Sequence, residues 1–151
     1  MKATKASIDT FLAIKKIAIA GVSRDPKKFG YLVFKTLREK GFEVYPINPG
    51  TDNIDGIPCF RNVGALPLNV HSLLIITPKK LTRELMAAAL AKGIDNIWIQ
   101  QMSETPEAIE LTKGHAINLI IKECILMHVD PVNGIHKFHR NLRKIFGLFP
   151  R

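Results

Sequence analysis

Only two of the 151 residues are cysteine, Cys59 and Cys124, and neither has a CxxC partner. That spacing excludes a disulfide framework and a thiolate zinc site, and reduced thiols in a cytosolic setting are expected. No apolar run approaches the ~20 residues of a membrane-spanning helix. The stretch 70–76, among the longest, already contains His71 and Ser72. Residues 1–14 mix Lys2, Lys5 and Asp9 with apolar residues and lack the continuous core of a signal peptide, so the cytoplasm is the expected location. Acids are scarce: 13 Asp and Glu against 22 Lys and Arg leave a net charge of +9. Such a surface favours anionic partners. The excess is uneven, with ten bases against three acids in residues 1–40 and five against none in 136–151. Interleaved surface aromatics are missing, which disfavours nucleic acid as the partner. Also missing are a Ser-His-Asp series, paired catalytic carboxylates and metal-ligand spacing. His136 and His139 stand at i, i+3, but no Cys or acid follows them to complete a metal site.

What is present is a regular alternation. The length fits one domain, residues 1–151, with a core near 15–130 and a basic tail over 134–151. A short amphipathic segment over 7–14 precedes a strand at 16–20 carrying Ile17 and Ile19. A helix is expected over 31–40, closed by Gly41, and a second strand over 42–47, ended by Asn48-Pro49-Gly50. Pro46 has no N–H to donate, which places that strand at an edge. A short edge segment at 58–60 and one helical turn at 63–66 follow. A third strand over 72–77, with the run Leu73-Leu74-Ile75-Ile76, reads as a parallel strand buried on both faces and is ended by Thr77-Pro78. A helix over 81–92, a strand over 96–100, a helix over 106–114 and a strand over 118–122 complete the series. Five strands alternating with helices predict an α/β fold, a doubly wound, Rossmann-like, mainly parallel sheet with helices on both faces. In the tail, Ile135, Phe138, Leu142, Ile145 and Phe146 share one face of a basic C-terminal helix. That face suits docking on the domain itself or on a second copy, which would make a homodimer; the alternative is a basic amphipathic helix that touches acidic membranes or nucleic acid.

In such sheets a ligand lies outside the carboxyl ends of the strands. The first loop there holds Gly21, Val22, Ser23, Arg24, Lys28 and Gly30. A glycine turn, a hydroxyl, a lysine and a helix start make a phosphate cradle. They equally make a tight turn with solvated lysines, because the full G-x-G-x-x-G spelling is absent. The second strand ends in Asn48 and Pro49, with no acid until Asp52, where an NAD site usually has a carboxylate for the ribose. NAD is therefore disfavoured.

The segments AIAGVSRDPKKFGYLVFKTLREKGFEVYPINP, LLIITPKK, GIDNIWIQQMSE and NLIIKECILM, in that order, resemble the CoA-binding domain family. This Rossmann-like family includes small stand-alone proteins and the N-terminal domain of the succinyl-CoA synthetase alpha subunit. The resemblance implies CoA, or an acyl-CoA, as the small-molecule ligand. It places Gly21, Ser23, Lys28 and Gly30 around the CoA phosphates, Asn48 and Pro49 at the adenosine end, and Thr77 and Pro78 along the pyrophosphate and pantetheine path. CoA bears a 3′-phosphate and a pyrophosphate, which suits a rim with Arg24, Lys27, Lys28, Lys79 and Lys80. A neutral Asn-Pro end avoids the repulsion that a carboxylate would exert on the 3′-phosphate. Synthetase activity does not carry over, because the chain is too short for the second domain with its phosphorylated histidine.

The expected role is a non-catalytic binding, sensing or regulatory module. Gln100 is expected to line the pocket and orient the ligand. Cys124 beside a CoA thiol, paired with His128, would instead permit a small transferase or thiol-redox enzyme. The plainer reading makes Cys124 a small buried residue and His128 a surface histidine. A regulatory NAD(P)-binding domain is the third alternative.

Overall fold

The computed structural model describes residues 2–129. The basic helix expected over 134–151, with His136 and His139, lies outside the described residues. Five strands form one parallel sheet: β1 (Lys16–Ala20), β2 (Glu43–Ile47), β5 (Ser72–Ile75), β6 (Asn96–Gln100) and β7 (Asn118–Glu123). Their order is β2-β1-β5-β6-β7. A two-stranded hairpin, β3 (Asn53–Ile54) and β4 (Ile57–Pro58), branches off beyond β2. The expected doubly wound fold is what the chain adopts.

Successive residues of each strand point to opposite faces, and that builds a core on each face. Ile17, Ile19, Leu74, Trp98 and Ile120 point to one side. There they meet Ile8 and Phe11 of α1 (Lys5–Ala13) and Val33, Phe34 and Leu37 of α2 (Phe29–Glu39). Ala18, Ala20, Leu73, Ile75, Ile97, Ile99 and Ile121 point to the other, against Met86 and Ala89 of α3 (Lys79–Lys92) and Ala108 of α4 (Pro106–Glu110). Both sets are buried, which is why the strands read as continuous apolar runs. Pro46 sits on the edge strand, as its missing N–H requires. Two Schellman closures end the long helices: Gly41 and Gly93 have φ of +84° and +78°, and Phe42 and Ile94 N–H reach back to Leu37 and Ala89. Among the described residues no helix is long and apolar enough to cross a membrane.

Some boundaries differ from expectation. Helices α2 and α3 each begin two residues earlier, because no side-chain cap marks either start. Helix α4 stops at Glu110 and gives way to i→i−3 turns that end at Gly114, φ +79°. Helix α1 begins earlier too, closed by a reciprocal pair of bonds between Thr4 and Ser7.

Candidate functional site

Strand order reverses between β1 and β5: β2 lies on one side of β1, and the later strands on the other. At such a switch point the loops diverge and leave a crevice at the carboxyl edge. A cleft of about 370 Å³ lies there, lined by Ala20 to Val22, Ile47 to Pro49, Arg61, Asn62, Thr77, Pro78, and Leu81, Glu84 and Leu85 of α3.

Its floor is tightly made. Gly21 has φ +103°, and a Cβ there would lie 2.9 Å from the Ile76 carbonyl carbon. Gly30 is pressed against the same turn, where a Cβ would come within 2.2 Å of the Gly21 carbonyl oxygen. Thus Gly21 lets the loops of β1 and β5 touch, while Gly30 lets α2 pack onto the turn. Asn48 fastens the third wall, donating Nδ2 to the Val22 carbonyl (2.9 Å) and accepting from the Gly50 N–H (2.8 Å).

Two helices begin around this edge without a side-chain cap or an acid in the first turn: α2 after Lys28, and α3 after Pro78. Their leading N–H groups and dipoles favour an anion. Thr77 Oγ1 is buried and has no hydrogen-bond partner among the described residues, although a buried hydroxyl ordinarily finds one. Within a cleft wall, that orphan is a vacant contact for a ligand oxygen.

Six of the twelve expected residues line the cleft: Gly21, Val22, Asn48, Pro49, Thr77 and Pro78. Ser23, Arg24, Lys28 and Gly30 lie in the adjoining loop and helix start, outside the lining. There Ser23 Oγ accepts from the Asp25 N–H (3.0 Å) and Asp25 Oδ1 from the Lys27 N–H (2.9 Å), so these side chains shape the loop.

Gln100 and Cys124 are not brought to the cleft. Gln100 is buried and its Oε1 accepts the Ile125 N–H at 3.2 Å. Cys124 is buried in the core cluster that holds Phe11, Trp98 and Ile125. Gln100 ends β6 and Cys124 follows β7, on the far side of β5 from the switch point, where a register shift follows Trp98 and Lys122 has φ +60°. His128 is not a surface residue: its side chain is 4% exposed, and Nε2 lies 2.9 Å from Glu123 Oε2. Burial, and secondarily the charge of Asp52, holds the Cys59 thiol above its ordinary pKa, so it stays protonated at neutral pH. Among the described residues no group of three His, Cys, Asp or Glu side chains is placed to hold a metal.

Residues 15–130 match the family model described as CoA binding domain. The chain belongs to that family. It is 29% identical over 150 residues to the alpha subunit of acetate–CoA ligase (ADP-forming) II of Pyrococcus furiosus, covering 92% of this chain and 31% of that protein. The chain thus spans less than a third of that relative. Among solved structures, a hypothetical protein from Pyrococcus horikoshii OT3 is 28% identical with a TM-score of 0.80, covering 87% of this chain and 94% of that one. A conserved hypothetical protein from Pyrococcus furiosus is 32% identical with a TM-score of 0.73, covering 76% and 99%.

In this CoA-binding domain, Arg61, Asn62, Leu81, Glu84 and Leu85 line the cleft without having been expected there. The first two arrive by an excursion of the chain. Asp55 and Gly56, with φ of +51° and +76°, turn β3 into β4. Phe60 then pairs with the outer edge of β2, donating to the Pro46 carbonyl (2.8 Å) and accepting from the Asn48 N–H (2.9 Å). That pairing delivers Arg61 beside Pro49. An Asp-Gly pair is a strong hairpin signal in sequence, and reading it would have brought residues 59–62 back to the edge.

Proposed function

We propose that this chain binds CoA or an acyl-CoA in the carboxyl-edge cleft, as a single non-catalytic module of sensing or regulatory type. The observation that carries this reading is the buried, unpartnered Thr77 hydroxyl, set in a cleft at the switch point beside two uncapped helix starts. Together they offer donors and positive potential where a pyrophosphate would sit. The neutral Asn48-Pro49 end supports a phosphorylated ribose over the bare diol of NAD. Family membership supports the same ligand. A cleft of about 370 Å³ suits the nucleotide part of CoA, with the pantetheine arm extending outward.

The ligase activity named for the Pyrococcus furiosus relative is not proposed for this chain. Thiol chemistry through Cys124 finds no support either, because that residue is packed in the core away from the cleft. The test is calorimetric titration of the chain with CoA, acetyl-CoA, NAD, NADP and ATP. CoA or acetyl-CoA is expected to bind more tightly than NAD, NADP or ATP. Binding of NADP without CoA would overturn the reading.

A further inference from the structure

We propose that Arg61 recognises the monophosphate on the adenosine ribose of the ligand, which for CoA is the 3′-phosphate, and thereby makes the cleft prefer CoA to dephospho-CoA. This rests on the CoA reading above. The cleft has two chemically different ends. Gly21, Thr77 and the start of α3 gather at the β1–β5 end, with the start of α2 adjoining through Gly30, and supply hydrogen-bond donors and dipoles. At the β2 end stand Asn48, Pro49, Arg61 and Asn62, where Arg61 is the sole cation among the described lining residues. CoA likewise carries two separate anionic groups, and a phosphate monoester holds nearly two charges at neutral pH.

The guanidinium is already positioned. Nη2 lies 3.2 Å from Asp52 Oδ1, and Nη1 makes a longer contact of 3.5 Å with the Pro49 carbonyl. Arginine has five N–H donors. The others have no partner among the described residues, and a planar fork suits the oxygens of a phosphate. The Asp52 carboxylate, which by itself would repel that phosphate, is paired with the same guanidinium. Both side chains are largely exposed, so their mutual attraction is weak and yields readily to a doubly charged ligand.

The 2′-phosphate of NADP presents the same chemistry, so calorimetry compares CoA, dephospho-CoA and NADP on the wild type, Arg61→Ala and Arg61→Lys. The wild type is expected to bind CoA at least about tenfold more tightly than dephospho-CoA. In Arg61→Ala that ratio falls below about threefold, and Arg61→Lys lies between, since an ammonium replaces the fork with a point charge. Equal affinities in the wild type, or an unchanged ratio in Arg61→Ala, would overturn the role of Arg61 while leaving CoA as the ligand. Failure of CoA to bind the wild type, or tighter binding of NADP, would overturn the CoA reading and this inference together.

Discussion

The two edges of one sheet are built on opposite rules. At the amino edge polar groups are closed upon each other. Asn96 Nδ2 donates to Ser72 Oγ (2.9 Å), and Asn118 Nδ2 reaches both Asn96 Oδ1 (2.7 Å) and the Ser7 carbonyl (2.8 Å). The neighbouring helix α1 is capped by Thr4. At the carboxyl edge α2 and α3 start uncapped, Thr77 keeps an unpartnered hydroxyl, and the backbone at Gly21 and Gly30 is pressed to contact. A satisfied network contributes stability and leaves nothing for a ligand; an unsatisfied one sacrifices some stability and keeps its donors available. The comparison separates what holds this fold from what it presents.

Substitutions can break that division. The largest effect is expected from Gly30→Ala, where the added carbon meets the Gly21 carbonyl oxygen at 2.2 Å. Thermal denaturation should register a loss of about 3 kcal/mol, with CoA binding abolished because the turn itself shifts. Asn96→Ala should follow closely. It strips the donor from the fully buried Ser72 hydroxyl and the acceptor from Asn118, costing about 2 kcal/mol of stability, yet calorimetry should find CoA affinity unchanged. A parallel loss of affinity would mean that the edges are not independent.

The carboxyl edge should respond in the reverse sense. Lys28→Glu reverses a charge at the uncapped start of α2 and should weaken CoA about tenfold, ~1.4 kcal/mol, while the melting temperature stays in place. Smallest is Thr77→Val. Removing a hydroxyl that has no partner should leave stability equal or slightly higher, and should reduce CoA affinity about fivefold, ~1 kcal/mol. A drop in melting temperature without a change in affinity would show that the hydroxyl serves the fold instead.

The strands and their order of burial were legible because their residues are apolar on both faces, and only a parallel sheet covered by helices buries such runs. The floor of the cleft was legible for a related reason: Gly21 and Asn48 directly follow strands, and Thr77 and Pro78 come two and three residues after β5, so position alone places them. Other residues needed geometry that spacing does not carry. Gln100 ends and Cys124 follows strands that lie beyond β5 from the switch point, and both are buried there beside a register shift and the positive φ of Lys122. The Glu123–His128 contact depends on the 3-10 turn over Ile125–Met127 that follows β7. Arg61 lies twelve residues beyond Pro49, and only the Asp55-Gly56 hairpin and the edge pairing of Phe60 bring it back.

The way Phe60 is attached has a consequence for how the scaffold can diversify. Two backbone hydrogen bonds clip the excursion to the sheet, and they are indifferent to the side chain that follows. Position 61 is therefore an interchangeable tip on a fixed mount. Exchanging it retunes which nucleotide is preferred while both cores stay as they are, so ligand choice and foldability can evolve on separate residues.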